Sequence, residues 1–168
     1  MLIALFGPSC VGKTTLARAL GEHWGWPTRL CGDVVRQRAR AVEVELDSLP
    51  LDEHALIDAD TRDWCRSRDM GVVEGRFLDQ VLASGGDIAL FEIIAEPSVR
   101  GIRWSTRLGN GQGLAMVHAS DASDEAFRVR AYGGQGRLRP TFQIDTSTRG
   151  IDDCLEELKG WRESLKAD

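Results

Sequence analysis

The sequence predicts a three-layer α/β/α fold in which a five-stranded parallel sheet lies between two layers of helices. Short apolar runs alternate along the chain with amphipathic segments of helical spacing, which is typical of parallel strands joined by crossover helices. The run 87–94 is apolar at nearly every position, as expected for a strand that is buried on both faces. The length of 168 residues suits one domain, 1–168, with a core of its own.

The predicted strands and helices follow one another in order along the chain. Pro97 suits the first turn of a helix, and the glycine-rich segment 108–120 is predicted to be a mobile loop. A further flexible break is expected at 133–136. The expected strands are 2–6, 28–31, 71–75, 87–94 and 141–144. The expected helices are 14–20, 32–45, 52–69, 77–83, 97–107, 121–132 and 151–165.

The most informative pattern lies between the first strand and the first helix. The spacing there is G-x-x-x-x-G-K-T, which is typical of loops that bind nucleotide phosphates. Glycines let backbone N–H groups converge on phosphate oxygens, the lysine adds a positive charge, and the threonine hydroxyl can ligate Mg²⁺. The start of the following helix favours an anion. The predicted triphosphate site consists of Gly7, Pro8, Ser9, Cys10, Val11, Gly12, Lys13, Thr14 and Thr15.

The composition and net charge argue against a nucleic-acid-binding, zinc-binding, secreted or membrane-spanning protein. The net charge of −5 argues against general affinity for nucleic acid, because neutralising phosphates requires a basic surface. The four cysteines are scattered and have no zinc-ligand spacing, which favours reduced thiols. The first apolar run is too short for a signal peptide, and no window is long enough for a membrane span. We expect a cytoplasmic monomer or homodimer that acts on a small molecule.

Charged residues follow several of the predicted strands. In doubly wound sheets, ligands bind outside the carboxyl ends of the strands, so these residues are expected to face one site. Two further arginines lie four residues apart and therefore on one helix face. The candidates are Asp33 and Arg36 after the second strand, Glu74 and Arg76 at the end of the third, Arg103 and Arg107 on a helix, and Arg128 after the glycine-rich segment.

These motifs, in this order, resemble those of the nucleoside monophosphate kinases, and most closely those of the short cytidylate kinase-like branch. The resemblance extends over nearly the whole chain. The phosphate loop alone is common to many enzymes, whereas the ordered combination is much more specific. The matching stretches are GPSCVGKTTLARAL, CGDVVR, VVEGR, DIALFEIIAEPSVRGIR, RVRAYG and QIDTS.

The resemblance implies a role for each matching residue. Arg36 and Arg76 would bind the phosphate of the acceptor, with Asp33 near its ribose or base. Thr14 would ligate Mg²⁺, and Glu74 would hold waters of its shell. Catalysis would use Lys13 and Asp33 together with three arginines that line the ATP base and neutralise charge on the transferred phosphoryl group. Those three arginines are Arg103, Arg107 and Arg128.

Two regions are also assigned by the resemblance. Helices over about 32–70 would bind the acceptor, and a lid over about 108–121 would close and exclude water. The predicted lid contains no arginine, so its cations must come from the flanking helices. Arg137 and Arg139 either substitute for them or are surface charges.

Several residues also have an ordinary structural interpretation. Asp33 could serve only as the cap of a helix, and Arg36 could be one of several solvated arginines on its helix. Glu74 and Arg76 could form a structural pair, and Arg103 with Arg107 could be an exposed face.

The predicted activity is an ATP- and Mg²⁺-dependent transfer of the γ-phosphoryl group to a nucleoside monophosphate. One alternative is a small-molecule hydroxyl kinase of the shikimate, gluconate or antibiotic phosphotransferase type, with Asp33 as general base. Another is a regulatory ATPase. Neither the base nor the sugar of the acceptor follows from the sequence.

Overall fold

The computed structural model describes residues 1–82, 88–109, 111–134 and 138–164. Strands and helices alternate in it as predicted. The strands are β1 (Leu2–Phe6), β2 (Thr28–Leu30), β3 (Gly71–Gly75), β4 (Ile88–Ile94) and β5 (Phe142–Asp145). The helices are α1 (Lys13–Trp24), α2 (Cys31–Ala41), α3 (Leu51–Arg66), α4 (Leu78–Val81), α5 (Pro97–Leu108), α6 (Gly113–Tyr132) and α7 (Ile151–Ser164), with a 3-10 turn at Leu46–Ser48.

The five strands form one parallel sheet in the order β2-β3-β1-β4-β5. Strand β1 is central, with Phe6 beside Gly75 of β3 on one side and Glu92 of β4 on the other. The loops after β1, β3 and β4 therefore meet at one edge of the sheet. The predicted fold class is confirmed.

Helices cover both faces of the sheet. On one face, side chains of β1 such as Ile3 and Leu5 pack with Leu16 of α1 and Leu158 of α7. On the other face, Ala4 and its neighbours pack with residues of α3 and α4. Because both faces are covered, every residue of β1 and β3 is buried, which explains why their residues are apolar except for Glu74 near the end of β3.

The predicted loop at 108–120 is wrong from Gly113 onward. Helix α6 begins there, so only residues 109–112 separate it from α5. Gly113 is buried in close contact with α5, because a Cβ there would lie 1.9 Å from the carbonyl oxygen of Gly101. The glycine that suggested a loop instead permits close approach of two helices. The lid movement assigned to this region stays a prediction.

Smaller differences concern the ends of elements. The helix predicted to reach residue 45 ends at Ala41, and the last strand begins one residue late. The turn that the sequence also predicts at 84–86 lies outside the described residues, as do residues 135–136 of the break predicted at 133–136. Within the described part of the chain, no helix has the length and hydropathy that a membrane span requires.

Candidate active site

The phosphate-binding loop links β1 to α1 and depends on its glycines. Gly7 has φ +138°, and a Cβ there would lie 2.2 Å from the carbonyl oxygen of Ile93. Gly12 has φ +95° and stands at the start of α1. No described side chain caps that helix, and its first turn contains no acidic residue. Its first amides are therefore available to an anion.

Lys13 is the buried cation of this loop. Its side chain is 7% exposed, and Nζ donates a hydrogen bond of 2.6 Å to the carbonyl oxygen of Pro8. Burial lowers the pKa of Lys13 to about 8, against the opposing effect of the Glu74 carboxylate. The loop therefore holds the ammonium group in a buried position, where a bound anion would stabilise its charged form.

Glu74 and Thr14 come together beside Lys13. The Glu74 side chain is buried, and burial raises its pKa. The Lys13 ammonium, the Thr14 hydroxyl and the backbone amide of Gly32 oppose this rise by favouring the charged form. A carboxylate and a hydroxyl are oxygen ligands of the kind that Mg²⁺ uses, with phosphates and waters completing its shell. The described residues contain no cluster of three or more His, Cys, Asp or Glu suited to a metal ion.

Arg100 is a residue of this site that sequence reasoning missed. Its Nε donates a 2.8 Å hydrogen bond to the Ser9 carbonyl, and its two terminal nitrogens bind Asp121 at 2.9 and 2.6 Å. The side chain is 5% exposed. Arg100 therefore ties the phosphate loop to α5 and α6. Its position three residues before Arg103, on the same helix face, was the available signal.

Arg103 also contacts the loop, whereas Arg107 does not reach it. Arg103 donates to the carbonyl oxygens of Cys10 at 3.3 Å and Thr146 at 2.6 Å, and to the Thr146 hydroxyl at 2.9 Å. Arg107 is exposed in the last turn of α5. The structure therefore places one member of the predicted pair at the phosphate loop and the other in solvent.

A cavity of about 470 Å³ lies next to the phosphate loop, which is within the range of small-molecule sites, roughly 300–1,000 Å³. It opens between α2, α3 and α6 at the end of β3. Its lining includes two of the predicted phosphate-binding residues, Arg36 and Arg76. The structure therefore brings both into one cavity. Other lining residues are His54, Asp58, Phe77, Asp124, Phe127, Arg130 and Tyr132.

Each of these two arginines is paired with a carboxylate. Arg36 contacts Asp33 at 2.5 Å, and Arg18 approaches the same carboxylate at 3.5 Å. Arg76 donates to Asp124 of α6 at 2.8 Å, and Asp124 is only 15% exposed. Sequence reasoning missed Asp124, because the pair joins residues 48 positions apart.

The interpretation of Asp33 as a helix cap is wrong. Helix α2 begins at Cys31, and its N-cap is Leu30, so Asp33 lies within the first turn. An acid in that position still interacts favourably with the helix dipole. Its exposed carboxylate pairs with Arg36, which lines the cavity, while Asp33 is not itself a lining residue, so its predicted place near an acceptor stays a prediction.

Arg128 lies on the acceptor side of the site and is engaged in structural contacts. It donates to the buried carboxylate of Asp79 at 2.7 Å, and its guanidinium lies 5.0 Å from the centre of the Phe77 ring. The catalytic role implied for it stays a prediction. Arg139 is exposed, and Arg137 lies outside the described residues.

The comparisons with known proteins agree with this arrangement. No protein-family model matches the chain. Adenylate dimethylallyltransferase of Agrobacterium tumefaciens is 28% identical over 157 residues, covering 77% of this chain. The match spans 60% of that relative's length, so the chain corresponds to only part of it. Cytidylate kinase of Archaeoglobus fulgidus is 32% identical over 138 residues, covering 79% of this chain and 74% of that kinase.

Solved structures with the same fold include kinases. A gluconokinase from Sinorhizobium meliloti matches with a TM-score of 0.66 and 21% identity, covering 98% of this chain and 94% of that one. A shikimate kinase from Acinetobacter baumannii, solved with shikimate, matches with a TM-score of 0.64 and 15% identity. That match covers 99% of this chain and 95% of the shikimate kinase. At such identities the likeness shows the fold alone.

The parallel sheet, the phosphate loop and the buried Lys13 define a P-loop enzyme of the kinase kind. Within that class, the match to the archaeal enzyme is specific enough to show the family. The chain belongs to the cytidylate kinase family of P-loop phosphotransferases.

Proposed function

We propose that this protein transfers the γ-phosphoryl group of ATP to the phosphate of a nucleoside monophosphate. The observation that carries the proposal is a second cationic cavity beside the phosphate loop, lined by Arg36 and Arg76. Two guanidinium groups suit an acceptor that already bears a phosphate, because each can bind two oxygens at once. The names of both relatives, a cytidylate kinase and an adenylate dimethylallyltransferase, also specify a nucleoside monophosphate.

The donor half of the site is the phosphate loop. Lys13 would exchange the Pro8 carbonyl for an outer phosphate oxygen, which compensates its burial better than a neutral carbonyl does. The start of α1 has no side-chain cap, so its backbone amides could bind the inner phosphates. Gly7 and Gly12 have no side chains that would obstruct those phosphates. Arg100 and Arg103 would hold the loop in that shape through its carbonyl oxygens.

The residues beside the loop fit a magnesium ion carried by the triphosphate. Thr14 would ligate it directly and Glu74 would hold its waters, in agreement with their mutual contact. When bound, the ion neutralises phosphate charge during transfer.

The acceptor half would bind the monophosphate by displacing carboxylates. Its phosphate would replace Asp124 on Arg76 and share Arg36 with Asp33. An acceptor phosphate oxygen then forms the new bond to phosphorus, while the bond from phosphorus to the bridging oxygen of ADP breaks. An ionised phosphate needs no proton removed, so positioning and positive charge supply the catalysis.

A hydroxyl kinase is the second candidate, and Asp33 is the observation that favours it. Its exposed carboxylate pairs with Arg36, a residue that lines the cavity, and could accept the proton of an acceptor hydroxyl bound beside that arginine. The same acid has no proton to remove from a phosphate acceptor.

Substitution of Arg76 distinguishes the two candidates. We expect Arg76→Ala to raise the KM for the acceptor roughly tenfold to a hundredfold, since it removes a charge-assisted contact to phosphate. The KM for ATP should change little. The matched control is Arg40→Ala, one turn beyond Arg36 on α2 and exposed. An unchanged acceptor KM in Arg76→Ala would favour the hydroxyl acceptor.

A further inference from the structure

Helix α6 presents a carboxylate to each half of the site. Asp121 and Asp124 lie three residues apart and therefore on one face of the helix. Asp121 binds the two terminal nitrogens of Arg100, the arginine that holds the phosphate loop, at 2.9 and 2.6 Å. Asp124 accepts a 2.8 Å hydrogen bond from Arg76 in the acceptor cavity. One helix therefore pairs with an arginine on the donor side and with another on the acceptor side.

The two ion pairs differ in how far a ligand can reach them. The Arg100 side chain is 5% exposed, so its guanidinium is closed to a small molecule. The Arg76 side chain is 45% exposed, and both Arg76 and Asp124 line the cavity. An anion that enters the cavity therefore meets the guanidinium of Arg76 with a carboxylate already bound to it. The pair also stands close to the donor half, since burial lowers the pKa of Lys13 most, Arg76 adds to that effect and Asp124 opposes it.

Asp124 stays near Arg76 even when their contact breaks, because α6 is anchored on both sides of it. One turn before it, Asp121 holds the arginine of the phosphate loop. Four residues after it, Arg128 donates a 2.7 Å hydrogen bond to the buried carboxylate of Asp79 in α4. A phosphate bound to Arg76 would therefore have the Asp124 carboxylate as a close neighbour of like charge. Binding of the phosphate must overcome both the existing ion pair and this repulsion.

We propose that Asp124 is a built-in competitor of the acceptor phosphate, which holds Arg76 in the empty site and lowers the affinity for the acceptor. This inference rests on the proposed function and adds the regulation of its acceptor half. A phosphate with two negative charges attracts the guanidinium more strongly than a carboxylate with one, so it can displace Asp124. A neutral hydroxylated compound cannot, and it leaves the pair intact. Asp124 thereby restricts the site to acceptors that carry a phosphate.

The test removes the charge of Asp124 and keeps its shape. Asp124→Asn can still accept a hydrogen bond from Arg76, but it has no negative charge to oppose a phosphate. For the nucleoside monophosphate that best stimulates ADP release, we expect this variant to lower the KM roughly threefold to tenfold, since a competing charge-assisted contact is lost. Inorganic phosphate, as a competitive inhibitor against that acceptor, should act at a correspondingly lower concentration. The KM for ATP should change less than the KM for the acceptor.

Two further variants show whether the charge is the cause. Asp124→Glu keeps the charge and should keep the acceptor KM closer to that of wild type than Asp124→Asn does. Asp63→Asn removes a carboxylate of α3 that forms an exposed pair with Arg66, and it should leave every constant unchanged. A loss of structure would raise the acceptor KM, so misfolding cannot produce the expected decrease.

The possible results separate this inference from the proposed function. An acceptor KM that is unchanged or raised in Asp124→Asn overturns the inference while the proposed function stands. An equal decrease in Asp124→Glu also overturns it, because the charge would not then be the cause. If wild-type protein phosphorylates no nucleoside monophosphate, the proposed function and the inference fail together.

Discussion

At the residue scale, the site is preorganised by buried charges that bind the loop's own backbone. Lys13 and Arg100 donate to the carbonyl oxygens of Pro8 and Ser9, which belong to consecutive peptide groups of the loop. We expect nucleotide binding to change the contacts of Lys13 and to leave those of Arg100 in place. Among the described residues, the Lys13 ammonium donates to one acceptor, the Pro8 carbonyl, which a phosphate could replace, whereas Arg100 is held by both the loop and Asp121.

ATP binding should be linked to protonation of Lys13. Since the pKa of Lys13 is lowered to about 8, the free protein loses this cation as the pH rises past that value. A bound phosphate raises the pKa of Lys13 again. ATP binding should therefore take up protons at about pH 8.5, where Lys13 of the free protein is partly neutral, and fewer at about pH 7, where it is already mostly charged. Calorimetry in buffers of different ionisation enthalpy measures this uptake.

Two lysine variants test whether the proton uptake on ATP binding comes from Lys13 or from other titrating groups. Lys159→Met removes a half-buried lysine of α7 that is paired with Glu156, and it should leave the proton uptake unchanged. Lys13→Met should weaken ATP binding and abolish the uptake at the higher pH. Equal uptake at both pH values in the wild type would contradict the assignment.

Arg100 should contribute strongly to stability. Arg100→Ala removes three hydrogen bonds and leaves the Ser9 carbonyl and Asp121 without their partner, so we expect a loss of about 2–3 kcal/mol in the free energy of unfolding. Urea denaturation measures it. Arg66→Ala breaks an exposed pair with Asp63 and should cost less than about 0.5 kcal/mol. Equal losses in the two variants would contradict this role.

The positions of some candidate residues could be predicted because a motif fixes the backbone there. The loop spacing and the strand end place Lys13, Thr14 and Glu74 near one another, as the structure also has them, and their roles in binding stay predictions. The partners Asp121 and Asp124 could not be predicted. They reach the site only through the packing of α6, a long-range arrangement to which no local pattern corresponds.

At the element scale, the contact between α5 and α6 links the two halves of the site. Helix α5 carries Arg100 and Arg103 against the phosphate loop. Helix α6 carries Asp124 and Tyr132 into the acceptor cavity. Gly101 and Gly113 let the two helices approach closely at one end, and Arg100 binds Asp121 further along. A movement of α6 would therefore alter both substrate sites.

Alanine at position 113 should disrupt this helix contact. Its Cβ would clash with the backbone of Gly101 and also lie 2.5 Å from the Ser105 hydroxyl, so Gly113→Ala should destabilise the fold by about 1–3 kcal/mol. Thermal or urea unfolding measures the change.

The control for this prediction is Gly160→Ala in α7. Position 160 is exposed in a helix and has no atom within 4 Å of an added Cβ, so alanine there should stabilise the fold by about 0.5–1 kcal/mol. Equal effects of the two substitutions would mean that the close contact at Gly113 contributes nothing to stability.

The same segment shows why sequence reasoning failed at this scale. Gly109, Gly111 and Gly113 together suggested a loop, and only their surroundings distinguish their roles. Gly109 caps α5 with φ +68°, whereas Gly113 is the first residue of α6 and is buried against α5. A glycine needed for positive φ and one needed for close packing look alike in a sequence.

At the scale of the whole molecule, the parallel sheet brings distant stretches of chain to one edge. The segments that follow β1, β2 and β3 supply Lys13, Asp33 and Arg76, and α6 closes the cavity from the other side. The fold class and this convergence could be predicted, since alternating strands and helices permit few topologies. The hydrogen bond from Tyr132 to Asp58 could not be predicted, because it depends on how α3 and α6 face each other.

The central claim is that a triphosphate and a phosphorylated acceptor bind together at this edge. Its most direct test measures ADP release from ATP·Mg²⁺ by wild-type protein, with a panel of nucleoside monophosphates, nucleosides and hydroxylated metabolites. We predict slow release without an acceptor and strong stimulation by one or more nucleoside monophosphates, with the matching diphosphate as second product. Stimulation by hydroxylated metabolites alone, or by no member of the panel, would contradict the account.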